Sequence, residues 1–281
     1  MEKLHRIEEY KALIKEVKQV HKASFSNLYY MPQDILRYIE LGKLEYEVNN
    51  AGVFFFFDEG TYYRVCVYIE DNNEFNIPQC SKKMLIRNVY RKSEKNEKLE
   101  RFENNLDHIG FTLSGTTFQV EGCPEVLMQN CLNLKQYIHS MEKKGFHCIK
   151  ADYSLYKVIE DIITDSRVIK DYHLSHRTEQ EKQMLDFGSY LCVLNKENQI
   201  CAASLSVING ETAQNEAMAI KEEYKMKGLA PLLTYHRSKW LCENKVNLAQ
   251  GWILTNNDAS IRYHKSLGYQ LTGKYANEWV L

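Results

Sequence analysis

The chain has few prolines, which interrupt helices and strands, and lacks the paired cysteines of metal or redox motifs. Its 281 residues include only four prolines. Its eight cysteines contain no Cys-x-x-Cys pair, so the sequence indicates neither a redox motif nor a zinc ribbon. We therefore expect the cysteines to be free and to pack as small hydrophobic residues in a reducing compartment.

Long apolar runs are also missing. No stretch approaches the ~20 apolar residues that a membrane-spanning helix requires. The start of the chain, Met1 to Arg6, is polar and lacks the apolar core of a signal peptide. From these absences we expect a protein of the cytoplasm with no membrane partner.

Charge of one sign is not in excess, because 36 basic residues stand against 37 acidic ones. Nucleic-acid binding needs a basic surface, so we expect no nucleic-acid partner. The same balance argues against a transferase that uses aminoacyl transfer RNA. The apolar fraction of 44% is ordinary for folded proteins, and the length fits two domains of roughly 140 residues each.

A metal site is not indicated either. The only close histidine pair, His173 and His176, has no third ligand beside it in the sequence. Surface histidines are the simpler interpretation, and we expect no metal.

The first half of the sequence predicts helices and then a strand meander. Helical patterns cover residues 6–22, 32–42 and 93–106. Strands are predicted over residues 44–48, 53–57, 61–69, 84–90, 109–113 and 117–120. The phenylalanine run at 54–57 has no polar alternation, which is typical of a strand covered on both faces. We place a first domain at residues 1–122.

The second half repeats this order and forms a second domain at residues 123–281. A long helix is predicted from Pro124 to Gly145, because proline suits the first turn of a helix and glycine its end. The remaining predicted strands are 146–149, 190–194, 200–208, 212–220 and 248–254, with a final strand pair. The remaining predicted helices are 153–163, 229–244 and 257–267, with a polar helical stretch at 179–185. Both halves are mixed α/β, and they read as diverged copies of one unit.

The loop at residues 220–230 leaves a predicted strand and enters a predicted helix. The opening amides of a helix lack intrahelical partners and lie at the positive end of its dipole, so they can bind phosphate. Gly228 allows close approach of a ligand to the backbone, and Ala230 has almost no side chain to obstruct it. Lys225 and Lys227 add positive charge. Alone the pattern is weak, because glycine near a helix start is common in turns.

A second motif stands at the next predicted strand-to-helix junction, Asn257-Asp-Ala-Ser-Ile-Arg-Tyr-His-Lys-Ser-Leu-Gly-Tyr269. Together, the two motifs resemble those of the Gcn5-related N-acetyltransferase (GNAT) superfamily, over about residues 189–269. That family has Arg or Gln, x, x, Gly, x, Gly or Ala in the loop, where this chain has Lys225, Gly228 and Ala230. The resemblance implies two GNAT-like domains in tandem, each a mixed, mostly antiparallel twisted sheet flanked by helices.

The resemblance also implies acetyl-coenzyme A as cofactor. Its pyrophosphate would lie on the loop, and its pantetheine arm would pair with the open edge of the preceding strand. The implied cofactor-binding residues are Met218, Ala219, Ile220, Lys225, Met226, Lys227, Gly228, Leu229, Ala230 and Asn257. The reaction implied is transfer of an acetyl or other acyl group to a primary amine, of a small molecule or a peptide, by direct attack in a ternary complex.

The candidates for acid and base catalysis depart from the family pattern. The usual glutamate position is Gln214, so we expect Glu216, two residues on, to be the general base. By alternation, the side chains of Gln214, Glu216, Met218 and Ile220 are predicted to share one face of the strand. His264 stands where the family has its tyrosine, and an ordinary histidine pKa of ~6.5 would let it act as acid. Tyr263 is the alternative acid. Each of these residues is equally well explained by packing or exposure, and a thiolate can leave unassisted.

The first half has no glycine-based phosphate loop between residues 68 and 83, so we expect it to be a degenerate copy that has lost cofactor binding. A non-catalytic acyl-coenzyme A sensor is the alternative to an enzyme. We expect the loops between the early helices and the inter-domain surface to set the acceptor amine, and their sequences contain no motif that identifies it.

Overall fold

The computed structural model describes residues 1–20, 23–28, 32–70, 74–94, 97–165 and 188–281. The chain divides into two compact units. Unit 1 contains residues 1–117 together with the C-terminal residues 273–281, and unit 2 contains residues 118–272. The division falls five residues before the predicted boundary at 122, and the sequence did not predict that the last residues belong to unit 1.

Unit 1 is a sheet with three described helices. Its elements are β1 (Glu2–Lys3), α1 (Ile7–Val20), β2 (Phe25–Ser26), α2 (Pro32–Glu40), β3 (Leu44–Asn49), β4 (Gly52–Asp58), β5 (Tyr62–Ile69), β6 (Lys83–Arg91), α3 (Glu97–His108) and the start of β7 (Thr112–Gly122). The C-terminal strand β13 (Gln270–Val280) pairs antiparallel with β6 over residues 274–280. The strand order is β1-β3-β4-β5-β6-β13, and only β5 and β6 run parallel.

The phenylalanine run explains why the sheet of unit 1 holds helices on both faces. Phe54 and Phe56 lie in the core that includes Phe102 of α3. Phe55 and Phe57 lie in the opposite core, with Tyr10 of α1. All four phenylalanines are fully buried. The prediction of a strand covered on both faces is therefore confirmed, since alternate side chains of a strand point to opposite faces.

Unit 2 has the same sequence of strand directions. After the end of β7 come α4 (Pro124–Leu132), α5 (Lys135–Lys143), β8 (His147–Lys150), α6 (Tyr156–Asp165), β9 (Gly188–Leu194), β10 (Ile200–Asn209), β11 (Thr212–Ile220), α7 (Leu229–Glu243), β12 (Leu248–Leu254), α8 (Asp258–Ser266) and the start of β13. The strand order is β7-β12-β11-β10-β9-β8. β11 runs parallel to β12 and antiparallel to β10, as β5 runs parallel to β6 and antiparallel to β4.

Two cores cover the two faces of the unit 2 sheet. The face that carries Ala213 packs against α4, α5 and α7, and we call it the α7 face. The other face packs against Ile159 and Ile163 of α6, and we call it the α6 face. Because residues of α8 also pack on the α7 face, the two helices that follow β11 and β12 lie on one side of the sheet.

Several predicted elements differ from the structure. The predicted long helix from Pro124 is two helices, because the chain turns at Asn133 and Leu134. At this turn the Leu134 amide donates a hydrogen bond to the Cys131 carbonyl oxygen. The predicted strands 109–113 and 117–120 are the single strand β7, and the predicted final strand pair is the single strand β13. Each is one extended segment that passes from one unit into the other. His173, His176 and the predicted stretch 179–185 lie outside the described residues.

Candidate active site

The parallel pairing of β11 and β12 is short. It covers Thr212 to Asn215 of β11, and the last pair joins Asn215 to Gly251. Beyond it, β11 continues to Ile220 in pairing with β10 alone. Within the described residues, no strand pairs with the other edge of this last part of β11. The two parallel strands thus open into a V-shaped cleft, which offers unpaired backbone groups to an extended ligand.

A β-bulge lies where the cleft opens. Leu205 of β10 faces Ala217, but the next residue, Ser206, faces Asn215, so Glu216 has no partner on β10. The extra residue reverses the alternation of β11. Ala213 lies on the α7 face before the bulge, whereas Met218 and Ile220 lie on that face after it.

The prediction that Gln214, Glu216, Met218 and Ile220 share one face was therefore wrong. Alternation alone cannot reveal an inserted residue, because a bulge depends on the pairing with a neighbouring strand. Glu216 is exposed at the bulge, next to the point where β11 leaves β12.

The loop between β11 and α7 presents free amides to solvent. A 3-10 turn at Glu222–Tyr224 follows β11, and Gly228 is the N-cap of α7 with φ +85°. Met226 also has positive φ, at +59°, and is fully exposed. In the described chain, the amides of Met226, Lys227 and Gly228 donate to no acceptor, and no side chain caps α7. Leu229 and Ala230 follow in the first turn of α7, where backbone amides have no intrahelical acceptor.

The side chains of this loop are engaged elsewhere. Lys225 pairs with Glu222 at 2.5 Å, and Lys227 lies over the ring of Tyr224. Tyr224 accepts a hydrogen bond from Asn195 at 3.1 Å and packs edge-on against Phe146. The loop is thus fixed by its side chains, while its backbone donors point to an anion as ligand.

The second predicted motif forms α8, and its first residue acts as a cap. The Asn257 side chain accepts a hydrogen bond from the Ser260 amide at 3.0 Å. The start of α8 is thereby satisfied internally, in contrast to the start of α7. Asn257 is exposed, and its capping role accounts for its place in the sequence without a ligand.

Tyr263 lies against the cleft strand. Its phenol donates to the Thr234 hydroxyl of α7 at 2.8 Å, and the Thr234 hydroxyl in turn contacts the Met218 sulfur of β11 at 3.8 Å. Burial raises the pKa of the Tyr263 phenol, so the phenol stays protonated at neutral pH. Of the two candidate acids, Tyr263 is the one that the structure connects to β11.

His264 points away from this chain of contacts. Its Nδ1 lies 2.8 Å from the Ser260 carbonyl oxygen, so this nitrogen carries the proton of a neutral ring. Burial lowers the pKa of His264 to about 4, although the bond to Ser260 acts in the opposite direction. The expectation that His264 titrates near its ordinary pKa was wrong, because the helix and Tyr269 enclose its ring.

A polar network that the sequence did not reveal lies on the α7 face at the narrow end of the cleft. Ser206 donates to the side-chain oxygen of Asn215 at 2.8 Å, and the amide of Asn215 donates to the Tyr269 phenol oxygen at 3.3 Å. Arg237 of α7 donates to the same oxygen at 3.4 Å. A signal was present, since Arg237 follows Leu233 by four residues and therefore lies on the apolar stripe of the helix.

The corresponding cleft of unit 1 is closed by the chain itself. β5 and β6 pair in parallel only from Tyr62 to Val65 of β5. Above that point β2 pairs with β5, and the buried Asn27 side chain lies between the two strands. It accepts from the Val67 amide at 2.7 Å and donates to the carbonyl oxygens of Val65 and Arg87, each at 3.3 Å.

The described residues contain neither a metal-binding cluster nor a membrane-spanning helix. No cluster of three or more histidine, cysteine or carboxylate side chains there could hold a metal ion. Within the same residues, no helix has the length and apolarity needed to cross a membrane.

The comparisons with known proteins give a fold. No protein-family model and no curated protein sequence matches the chain. Among solved structures, a tandem GNAT protein from the clavulanic acid biosynthesis pathway aligns over 100% of this chain and 97% of its own, with a TM-score of 0.59 and 9% identity. A GNAT-like protein from Streptococcus suis aligns over 96% of this chain and 100% of its own, with a TM-score of 0.56 and 12% identity.

A third structure, a Gcn5-related N-acetyltransferase from Kribbella flavida, aligns over 88% of this chain and 93% of its own, with a TM-score of 0.53 and 14% identity. Identities this low report on architecture alone. The two units, each with one parallel strand pair that opens beyond its first residues, agree with that architecture. The chain therefore has the tandem GNAT fold.

Proposed function

We propose that unit 2 transfers an acyl group, acetyl in the first instance, from acyl-coenzyme A to a primary amine of a small molecule or peptide. One observation carries the proposal: the free amides from Met226 to Ala230 directly follow a strand whose edge has no partner in the described chain. A ligand with an extended amide-containing arm and a pyrophosphate at its end matches both features at once.

The chain's own residues suit the cofactor. The amides of the loop would hold the pyrophosphate, and the backbone from Met218 to Ile220 would pair with the pantetheine amides. Gly228 has φ +85°, and a side chain there would strain the turn that aims these amides. Bound acyl-coenzyme A supplies the activated thioester.

The transfer needs a proton acceptor for the amine and a proton donor for the thiolate. The neutral amine attacks the thioester carbonyl carbon, a carbon–nitrogen bond forms and the carbon–sulfur bond breaks. Glu216, exposed at the bulge, would take the ammonium proton directly or through water. The Tyr263 phenol, kept protonated by its burial, would give its proton to the departing sulfur.

A non-catalytic sensor of acyl-coenzyme A is the second candidate. It is favoured by one observation, that His264, at the family's usual acid position, is held neutral and bonded to Ser260. A sensor would bind the cofactor through the same amides and would need neither Glu216 nor Tyr263.

Calorimetric titration with coenzyme A and acetyl-coenzyme A, followed by an amine panel with free-thiol detection, tests the proposal. The enzyme hypothesis predicts binding and amine-dependent thiol release, which Glu216→Gln and Tyr263→Phe reduce while binding persists. Binding with no thiol release for any amine would support the sensor. Absence of binding would reject both.

A further inference from the structure

Arg237 is a buried cation without a counter-ion in the part of the chain that the structure describes. It lies in the middle of α7 with 3% of its surface exposed. Its Nη2 reaches the Tyr269 phenol oxygen at 3.4 Å, and its Nε–H has no acceptor. Within the described chain, no carboxylate lies at ion-pair distance from it. Buried charges are normally paired, because removal of an ion from water is costly.

The groups that face the guanidinium do not neutralise it. The charge of Arg237 acts to lower the pKa of four neighbouring groups, those of Cys131, Tyr263, His264 and Tyr269. Burial raises the pKa of Cys131 to about 11 and also raises the pKa of both phenols, so none of the three is an anion at neutral pH. His264 is neutral there as well. Among the described residues, no neighbouring group therefore neutralises the positive charge of Arg237.

The hydrogen-bond network beside Arg237 also has more donors than acceptors among the described residues. The side-chain oxygen of Asn215 takes the hydroxyl proton of Ser206, and the Tyr269 oxygen accepts from both Asn215 and Arg237. In the described residues, the Tyr269 hydroxyl proton then has no acceptor of its own. A ligand that brings acceptor oxygens and negative charge would satisfy both Tyr269 and the Nε–H of Arg237.

The position of this network indicates which part of a ligand would reach it. Asn215 forms the last pair of β11 with β12, so Tyr269 and Arg237 lie at the narrow end of the cleft. The loop amides that would hold pyrophosphate lie at the opposite end of β11, beyond Ile220. A donor laid along β11 would thus direct its acyl end, not its nucleotide, toward Arg237.

We propose that unit 2 prefers acyl-coenzyme A donors whose acyl chain ends in a carboxylate, such as succinyl-coenzyme A, and that Arg237 is the residue that selects them. The proposal rests on the proposed function, because it assumes that the donor binds along β11. Arg237 would form an ion pair with the terminal carboxylate, which would also accept from Tyr269.

The test compares succinyl-coenzyme A with butyryl-coenzyme A, which has the same four acyl carbons and no charge. Calorimetry of the wild type should show at least about tenfold tighter binding of the succinyl donor, the gain expected of a charge-assisted pair. Arg237→Met should abolish that preference and leave the butyryl affinity within about twofold. Arg262→Met, which removes an exposed arginine of α8, should leave both affinities unchanged.

A second readout separates selection from a structural role. Because Arg237 has no counter-ion among the described residues, Arg237→Met should melt at the same or a higher temperature than the wild type. The His264 ring should titrate at higher pH in the succinyl complex than in the butyryl complex, since a carboxylate offsets the nearby charge. Equal affinities for the two donors in the wild type would overturn this inference and leave the proposed function intact. Failure of coenzyme A itself to bind would overturn both.

Discussion

Tyr263 of α8 donates its phenol proton to Thr234 of α7 at 2.8 Å, and this bond joins the two helices that follow the cleft strands. Through Thr234 it also reaches Met218 on the strand that would carry the pantetheine arm. Of the two neighbouring candidates, Tyr263 is connected to β11 by these contacts, whereas His264 is bonded to Ser260. The sequence left both candidates open, and the hydrogen bonds separate them.

Tyr263→Phe should lower kcat by about 10²-fold, the usual contribution of a positioned proton donor. The affinity for acetyl-coenzyme A should change little, because in the proposed complex backbone groups would make the pyrophosphate and pantetheine contacts. The loss of one hydrogen bond should cost about 1 kcal/mol of stability. Steady-state kinetics beside calorimetry check this. His264→Phe is the comparison, and a larger kcat loss there than at Tyr263 would reverse the assignment.

Gly228→Asp should weaken coenzyme A binding by more than about 2 kcal/mol, because it brings a carboxylate next to the amides that are proposed to hold phosphate. Gly228→Ala isolates the backbone effect. A side chain at φ +85° costs about 1 to 2 kcal/mol of stability, with the nearest atom of Met141 at an unstrained 3.7 Å.

Gly42 is the matched control for this series. It also has positive φ, +64°, and nothing lies within 4 Å of an added Cβ. Gly42→Asp should therefore cost stability alone and leave the calorimetric affinity unchanged. If Gly228→Asp bound coenzyme A as tightly as Gly42→Asp does, the loop would not be the phosphate site.

His264 should make folding stability depend on pH. Its pKa in the folded protein is about 4, below the ordinary 6.5, so the unfolded chain binds the proton first as pH falls. Stability from this group is complete above about pH 6.5 and is lost as pH falls toward 4. His264→Asn retains an amide donor for Ser260 but does not titrate.

The difference in urea midpoint between wild type and His264→Asn reports on this residue alone. The difference should be constant above neutral pH. Between about pH 6.5 and 4, the wild type should lose stability relative to His264→Asn as the pH falls. A difference that stays flat across this range would show that His264 titrates normally in the folded protein.

Asn27→Ala should destabilise the protein by about 2 to 4 kcal/mol, since it leaves the Val67 amide and two carbonyl oxygens unpaired between β5 and β6. Coenzyme A affinity of unit 2 should be unaffected. Asn104→Ala, at an exposed site of α3, should change stability by less than about 0.5 kcal/mol. Equal stability of the two variants in urea unfolding would mean that Asn27 does not hold the cleft of unit 1 closed.

Local patterns predicted much of this fold. β11 and β12 have the predicted bounds, because apolar residues alternate along each strand and turn residues flank it. The phenylalanine run correctly predicted two covered faces. The junction of the loop with α7 and the place of Gly228 at its start were also predicted, because those features lie within a few residues of one another.

What the sequence did not reveal depends on distant partners. The bulge at Glu216 exists only in register with β10, and Asn27 meets β5 from 38 residues away in the chain. The last strand joins unit 1 although its sequence follows unit 2. Arg237 could have been noticed on its apolar stripe, but only the structure shows that no carboxylate within the described chain accompanies it.

The proposed function depends on the amides from Met226 to Ala230, and an amide NMR titration with coenzyme A observes them directly. On addition of coenzyme A, the resonances of Met226, Lys227, Gly228 and Leu229 should shift most. Those of Met218 and Ile220 should shift when the pantetheine arm is present but not with pyrophosphate alone. Unchanged loop resonances at saturating coenzyme A, with the shifts elsewhere, would contradict the proposed function.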